Sequence, residues 1–212
     1  MAINVKKLLA DALLELSKEK PLAKISITDI VKKAGAGRQT FYNHFQDKDD
    51  LLYWIYKQTL VGEQEILKEH GFYAYMCSVY STAQTKYRDF LRDACALTGQ
   101  SSLVDAIIYQ SYSYYRNNII RRYGAEVIDE RLAFALNYQA YGAGHRYVNW
   151  ALQGMPGSAE DEVLYMLECM PPVMRKYLPW TEEDVEVLAG NPYLVPNLNP
   201  LSPEQLANQA IP

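Results

Sequence analysis

This chain is poor in the residues that covalent and metal chemistry need. Three cysteines occur in 212 residues, and Cys77, Cys95 and Cys169 lie far apart with no C-x-x-C pair. That excludes a disulfide framework or zinc knuckle and fits a reducing cytosol. A lone cysteine on an apolar helix face is either simply packed or, for Cys95 or Cys169, a redox sensor. Histidine is as scarce: His44, His70 and His145 form no H-x-x-x-H, H-E-x-x-H or Cys/His grouping, so neither a metal nor a cofactor is expected. G-x-S-x-G is absent and no serine, histidine and acid cluster is visible, which leaves an enzyme without support. Gly35-x-Gly37 follows no strand and lacks a third glycine, so it is not a dinucleotide loop. Asp49-Asp50 and Glu160-Asp161-Glu162 stand at helix starts, where carboxylates complement the macrodipole. No apolar run approaches the length of a membrane span, and Asp11 and Glu15 interrupt the leader-like stretch from Leu8 to Leu16. Secretion and a membrane are therefore not expected, and the cytoplasm is.

What the chain does have is unevenly placed charge and helical periodicity. Residues 1–60 hold ten basic and seven acidic side chains, net +3, whereas the rest hold eleven and eighteen, net −7. A basic head on an acidic body implies that only the head meets a polyanion. A chain this long buries roughly 70% of its unfolded surface, enough for a core without staples. Val5, Leu8, Leu9, Ala12, Leu13 and Leu16 follow helical spacing, which predicts a first amphipathic helix ended by Pro21. Ser26 and Asp29 form a start signal for a second, short helix with Ile27, Ile30, Val31 and Ala34 on its inner face and Gly35 at its end. Only Gly35 to Gly37 separate it from a third helix, Arg38 to Phe45, a helix-turn-helix spacing.

On that third helix Phe41 and Phe45 are one turn apart and face inward. At about 100° per residue, Gln39 and Asn43 point nearly opposite, with Arg38 and Thr40 flanking. Arg pairs bidentately with guanine, and Gln or Asn with adenine, so these side chains suit base edges. Tyr42, His44 and Lys48 suit phosphate contact, as do the free amides near Ser26 and Thr28.

The stretch Ala34-Gly-Ala-Gly-Arg-Gln-Thr-Phe-Tyr-Asn-His-Phe-Gln-Asp-Lys-Asp-Asp-Leu-Leu52 resembles the DNA-binding signature of the tetracycline-repressor (TetR) family of bacterial regulators. Ala34-Gly35, Thr40-Phe41-Tyr42, His44-Phe45, Lys48 and Leu51 carry the match, which covers about residues 5 to 55. The resemblance implies that Arg38, Gln39, Thr40 and Asn43 face bases and that Thr28, Tyr42, His44 and Lys48 hold the backbone. Gly37 stands where the family usually has Ser or Thr, a change that costs roughly a few tenths of a kcal/mol at an N-cap. The resemblance further implies a homodimer, a palindromic double-stranded DNA operator and a small-molecule effector, with repression the expected outcome.

The remainder reads as helices broken at Gly71, 99–102, Gly124 and 154–158, with start signals at Ser102-x-x-Asp105 and Ser158-x-x-Asp161. The fold class expected is all-α, with a helix-turn-helix domain over 1–47, a helical effector-binding and dimerisation domain over 48–178 and a proline-rich tail over 179–212. Six of the ten prolines fall in that tail, which predicts an extended segment with one or two short turns, one of them at Ser202-Pro203. Helices over 129–153 and 158–177 are candidates for the dimer interface, although Pro171-Pro172 must kink or end the second. Ala140, Gly142, Ala143 and Gly144 fit close helix approach across that interface or ordinary packing within one chain. Tyr109, Tyr112, Tyr115 and Arg116 crowd one segment of a chain with 18 tyrosines; they are candidates to line an effector cavity, or are tyrosines at the rim of the core. The alternative function is a helical protein-interaction or signalling module whose head no longer binds DNA specifically.

Overall fold

The computed structural model describes residues 4–61, 64–97, 102–194 and 200, and among these every regular element is helical. In α1 (Val5–Ser17), capped by the Asn4 side chain, Leu9, Ala12, Leu13 and Leu16 are buried as the spacing predicts, while Leu8 faces out. A single 3-10 turn, Leu22–Lys24, leads to α2 (Ile27–Lys33), whose Ser26 and Asp29 satisfy each other's backbone amides in a capping box. Gly35 takes φ +65°, and the Ala36 and Gly35 amides donate to the carbonyls of Val31 and Lys32. This left-handed termination turns the chain sharply toward the next helix.

Regular helix in α3 runs Arg38–Tyr42, shorter than the expected 38–45. The amides of His44 and Phe45 both converge on the Phe41 carbonyl at 2.9 Å, so the last turn tightens yet keeps Phe45 inward. Asp47 then opens α4 (Lys48–Val61) by accepting from the Asp50 amide. Phe41, Phe45, Leu51 and Ile55 join the α1 and α2 stripes in one core.

The body consists of α5 (Gln64–Lys86), α6 (Arg88–Cys95), α7 (Leu103–Tyr123), α8 (Glu130–Leu152), α9 (Ala159–Glu168), α10 (Pro172–Arg175) and α11 (Glu182–Leu188). The starts at Ser102 and Ser158 cap α7 and α9 through Asp105 and Asp161 amides. Helix α7 lies along α8, so close that a Cβ on Gly144 would come to 2.8 Å of Ile108. Ala140 and Gly144 are thus small for packing within the chain, whereas Gly142 faces open space. The helix expected over 158–177 is divided, because Pro171 and Pro172 end α9 and restart the chain as α10.

The expectation of an extended tail from 179 is corrected as far as residue 194. Trp180, Leu188 and Leu194 are in the core, and Trp180 meets Phe72 edge-on at 5.7 Å. Asp184 accepts from the amides of Phe72 and Tyr73 at 2.9 and 2.8 Å, capping the second half of α5 where Gly71 (φ +87°) breaks it. Proline content argued against a long helix but could not exclude a short docked one. The turn expected at Ser202-Pro203 lies outside the described residues.

Candidate nucleic-acid interface and internal cavity

Arg38, Gln39 and Asn43 are exposed along one flank of α3 and Thr40 is half-buried beside them, while Phe41 is fully buried behind. Gln39 Nε2 donates to Asn43 Oδ1 at 3.1 Å, one turn apart. The pair therefore presents one free carbonyl oxygen and one free amide together, the complement of an adenine edge. Tyr42, His44 and Thr28 are also exposed. The Tyr42 ring packs edge-on against Phe41 at 5.6 Å.

Lys48 is placed differently from its companions. Its ammonium donates to the carbonyls of Leu22 and Ile25 at 3.0 and 3.2 Å, which ties α4 to the turn before α2. Two of its three donors are thereby engaged inside the head, leaving one for a phosphate. Beneath α2, Ser26 and Lys20 hold the Asp29 carboxyl well below the usual carboxylate range.

A cavity of about 100 Å³ opens between α4, α5, α7, α8 and α9. Its walls include Tyr56 and Leu60 from α4, Tyr75, Met76, Val79 and Tyr80 from α5, Ile107, Gln110, Ser111, Tyr114 and Tyr115 from α7, Ala143, Gly144 and Tyr147 from α8, and Met166 from α9. Burial pushes the hydroxyls of Tyr56, Tyr80, Tyr115 and Tyr147 far above the ordinary tyrosine value, so all stay protonated. Tyr53 on α4 donates to Gln110 Oε1 at 2.9 Å. Below the cavity on the same face of α7, Asn118 Oδ1 and the Nε and Nη2 of Arg122 are buried without a hydrogen-bond partner among the described residues. Burial lowers the Arg122 pKa.

With this geometry established, residues 9–53 match the family described as bacterial regulatory proteins, tetR family. Residues 9–53 are thus a tetR-family head. The HTH-type dhaKLM operon transcriptional activator DhaS of Lactococcus lactis subsp. lactis (strain IL1403) is 33% identical over 72 residues, which span 34% of this chain and 37% of that protein. A solved structure titled dihydroxyacetone kinase operon activator DhaS covers 80% of this chain and 95% of its own, with a TM-score of 0.57 and 18% identity. That likeness concerns the fold: a tetR head followed by a helical body.

Of the four body residues singled out in sequence, Tyr115 stands on the cavity wall, its hydroxyl 3.9 Å from Met166 Sδ. Tyr109, Tyr112 and Arg116 are not on that wall, and Tyr109 and Arg116 are exposed. The cause is register, since Ile107, Gln110, Ser111 and Tyr114 follow i, i+3, i+4, i+7 on the inner face and Tyr109, Tyr112 and Arg116 fall on another. Extending the Ile107 stripe would have found Gln110 and Tyr114 in sequence. Nothing local marks Tyr56, Tyr75, Tyr80 or Tyr147 as wall residues. Cys95 is buried, with its thiol pushed up to about 12, which leaves no thiolate to sense oxidants. Among the described residues no group of metal ligands gathers, and no helix is long and apolar enough to cross a membrane.

Proposed function

We propose that this tetR-family DNA-binding transcription regulator acts in the cytoplasm as a homodimer on a palindromic operator and that a small effector in the body cavity retunes it. The single observation carrying the DNA reading is the two-sidedness of α3: Arg38, Gln39 and Asn43 outward, Phe41 and Phe45 inward. Arg38, Gln39, Thr40 and Asn43 read bases, while Thr28, Tyr42, His44 and the remaining Lys48 donor hold phosphates. A dimer must set two such helices about 34 Å apart to reach successive major grooves.

The second copy is supported by an unpartnered aromatic row on α8, where Phe134, Tyr138 and Tyr141 are 72%, 63% and 58% exposed. A face of that kind demands a cover, and a twin chain supplies one while bringing the second head that a palindrome requires. Control is transmitted because Tyr56 lines the cavity from α4, the helix that also packs against Phe45 through Trp54 at 6.2 Å. The effector shifts the equilibrium only by its difference in affinity for the two head spacings, typically about 1–3 kcal/mol. Repression follows if the dimer blocks transcription; the activator role of the DhaS relative favours activation as a second reading.

Fluorescence anisotropy with a selected palindromic duplex tests the proposal. Affinity should fall steeply between low and physiological salt, whereas salt-independent binding would leave the helical interaction module as the better reading.

A further inference from the structure

We propose that Asn43 is a positioning residue for Gln39, and that the two side chains together read a single adenine in each operator half-site. This deepens the DNA reading above and rests on it. The observation is the bond from Gln39 Nε2 to Asn43 Oδ1 at 3.1 Å, made between two side chains that both stand on the exposed flank of α3. The backbone sets it up. The Asn43 amide donates to the Gln39 carbonyl at 3.0 Å, so the pair is one full α-turn apart, and the chain tightens only at His44, whose amide reaches the Phe41 carbonyl. Side chains at that spacing meet on a helix surface. Behind them Phe41 is fully buried and its ring packs on Phe45 at 5.7 Å, which fixes the platform from which both amides project.

The hydrogen-bond inventory decides which base fits. A glutamine amide has two N–H groups and one carbonyl oxygen. Asn43 takes one N–H, which leaves Gln39 Oε1 and the second N–H for a ligand. Adenine offers an N6 donor and an N7 acceptor at its major-groove edge, and the free oxygen and N–H complement both. Guanine offers two acceptors there, so Oε1 would meet another oxygen or nitrogen with no proton between them. Thymine and cytosine each present a single hydrogen-bonding group. A glutamine by itself keeps rotamer freedom that it must lose on binding. Tied to Asn43, it has lost part of that freedom before the duplex arrives. A base other than adenine is met only by turning the Gln39 amide, which breaks the Asn43 bond and sharpens the preference. In this role Asn43 is an acceptor, so the position needs a side-chain oxygen and not an NH2.

The test uses the full chain and a palindromic duplex selected by it from random sequence, with each half-site base pair then replaced singly and affinities read by competition anisotropy. Gln39→Ala should lower the preference for an A·T pair at one half-site position by about tenfold. Asn43→Ala should lower it at that same position and no other, by about threefold, the loss expected when one side chain is left to be immobilised on binding. Asn43→Asp, which keeps the accepting oxygen, should retain the preference there while its charge weakens every duplex alike. In the double variant Gln39→Ala with Asn43→Ala, the preference should fall no further than in Gln39→Ala, because Asn43 acts through Gln39. Four results would each overturn the proposal: no loss of preference in Asn43→Ala, a loss at a different base pair, losses that multiply in the double variant, or an Asn43→Asp chain as unselective as Asn43→Ala. In all four the regulator reading stands, provided the unaltered chain prefers the selected duplex. An unaltered chain without sequence preference removes that reading and the proposal with it.

Discussion

In the head, polar side chains point outward and the backbone is satisfied by near neighbours; in the body, hydroxyls and amides point inward and key contacts come from far along the chain. Ser26 and Asp29 cap α2 from three residues apart, and Gly35 ends it within two. Asp184 caps the broken α5 from more than a hundred residues away, and Gln110 is held by Tyr53 across 57 positions. A surface that must meet a highly charged duplex needs donors and acceptors in water, set on a rigid short helix. A cavity that selects a small molecule needs a few polar groups surrounded by apolar walls. The contrast teaches that the head is specified locally, while the body draws on contacts from its last segment.

The strongest way to break this contrast is at Gly71. A Cβ there would collide with Thr181 Oγ1 and lie 2.5 Å from Asp184 Oδ2, at φ +87°. Gly71→Ala should destabilise the body by about 3 kcal/mol through strain and a disrupted cap, read by chemical denaturation. If stability is unchanged, the docking of α11 on α5 is not what holds this region. Asp184→Ala should follow at about 2 kcal/mol, since several buried amide and hydroxyl donors would lose their acceptor.

In the head the expected effects are smaller and fall on recognition. Gln39→Ala should remove about 1–3 kcal/mol of discrimination at one base position while sparing folding, measured by competition with single-base operator variants. A uniform loss across all variants would move Gln39 from reading bases to holding phosphates. Lys48→Met should lower head stability by about 1 kcal/mol, because the Leu22 and Ile25 carbonyls lose their charged donor. A loss confined to duplex affinity would show that its inward bonds contribute nothing.

The smallest effect is one of pH. The Asp29 carboxyl has its pKa lowered in the fold by the Ser26 amide, Lys20 and the Ser26 hydroxyl. Its contribution to stability is thus fully present above its ordinary value of 3.8 and lost as pH falls toward the folded value. Asp29→Ala should weaken the head at neutral pH and flatten this acid sensitivity, followed by the fluorescence of Trp54 beside Phe45. Unchanged acid sensitivity would assign it to other carboxylates.

The head was almost wholly legible because its information is local. Spacing of Leu9, Leu13, Ile30 and Phe41, the Ser26 cap and the Gly35 stop each act within one or two turns, and the structure follows them. Its exceptions are instructive: Phe45 stays inward although regular helix stops at Tyr42, and Lys48 turns to carbonyls that lie more than twenty residues upstream. In the body, caps at Ser102 and Ser158 and breaks at Gly71 and Gly124 were equally legible. The cavity was not, because a cluster of tyrosines in sequence is not a cluster in space. Tyr109 and Tyr112 sit near Tyr115 in the chain but on other faces of α7, whereas Tyr56, Tyr80 and Tyr147 come from three other helices.

Sequence alone determined the helical class, the order of elements and the polarity of α3, since hydrogen bonding within a turn and the period of the α-helix depend on neighbours only. Tertiary structure alone decided which tyrosines share a wall, that Gln110 accepts from Tyr53, and that Trp180, Leu188 and Leu194 belong to the core. Those outcomes depend on how helices cross and how closely Gly144 lets α7 approach α8, and packing of that kind sums contacts between segments that no local pattern brings together.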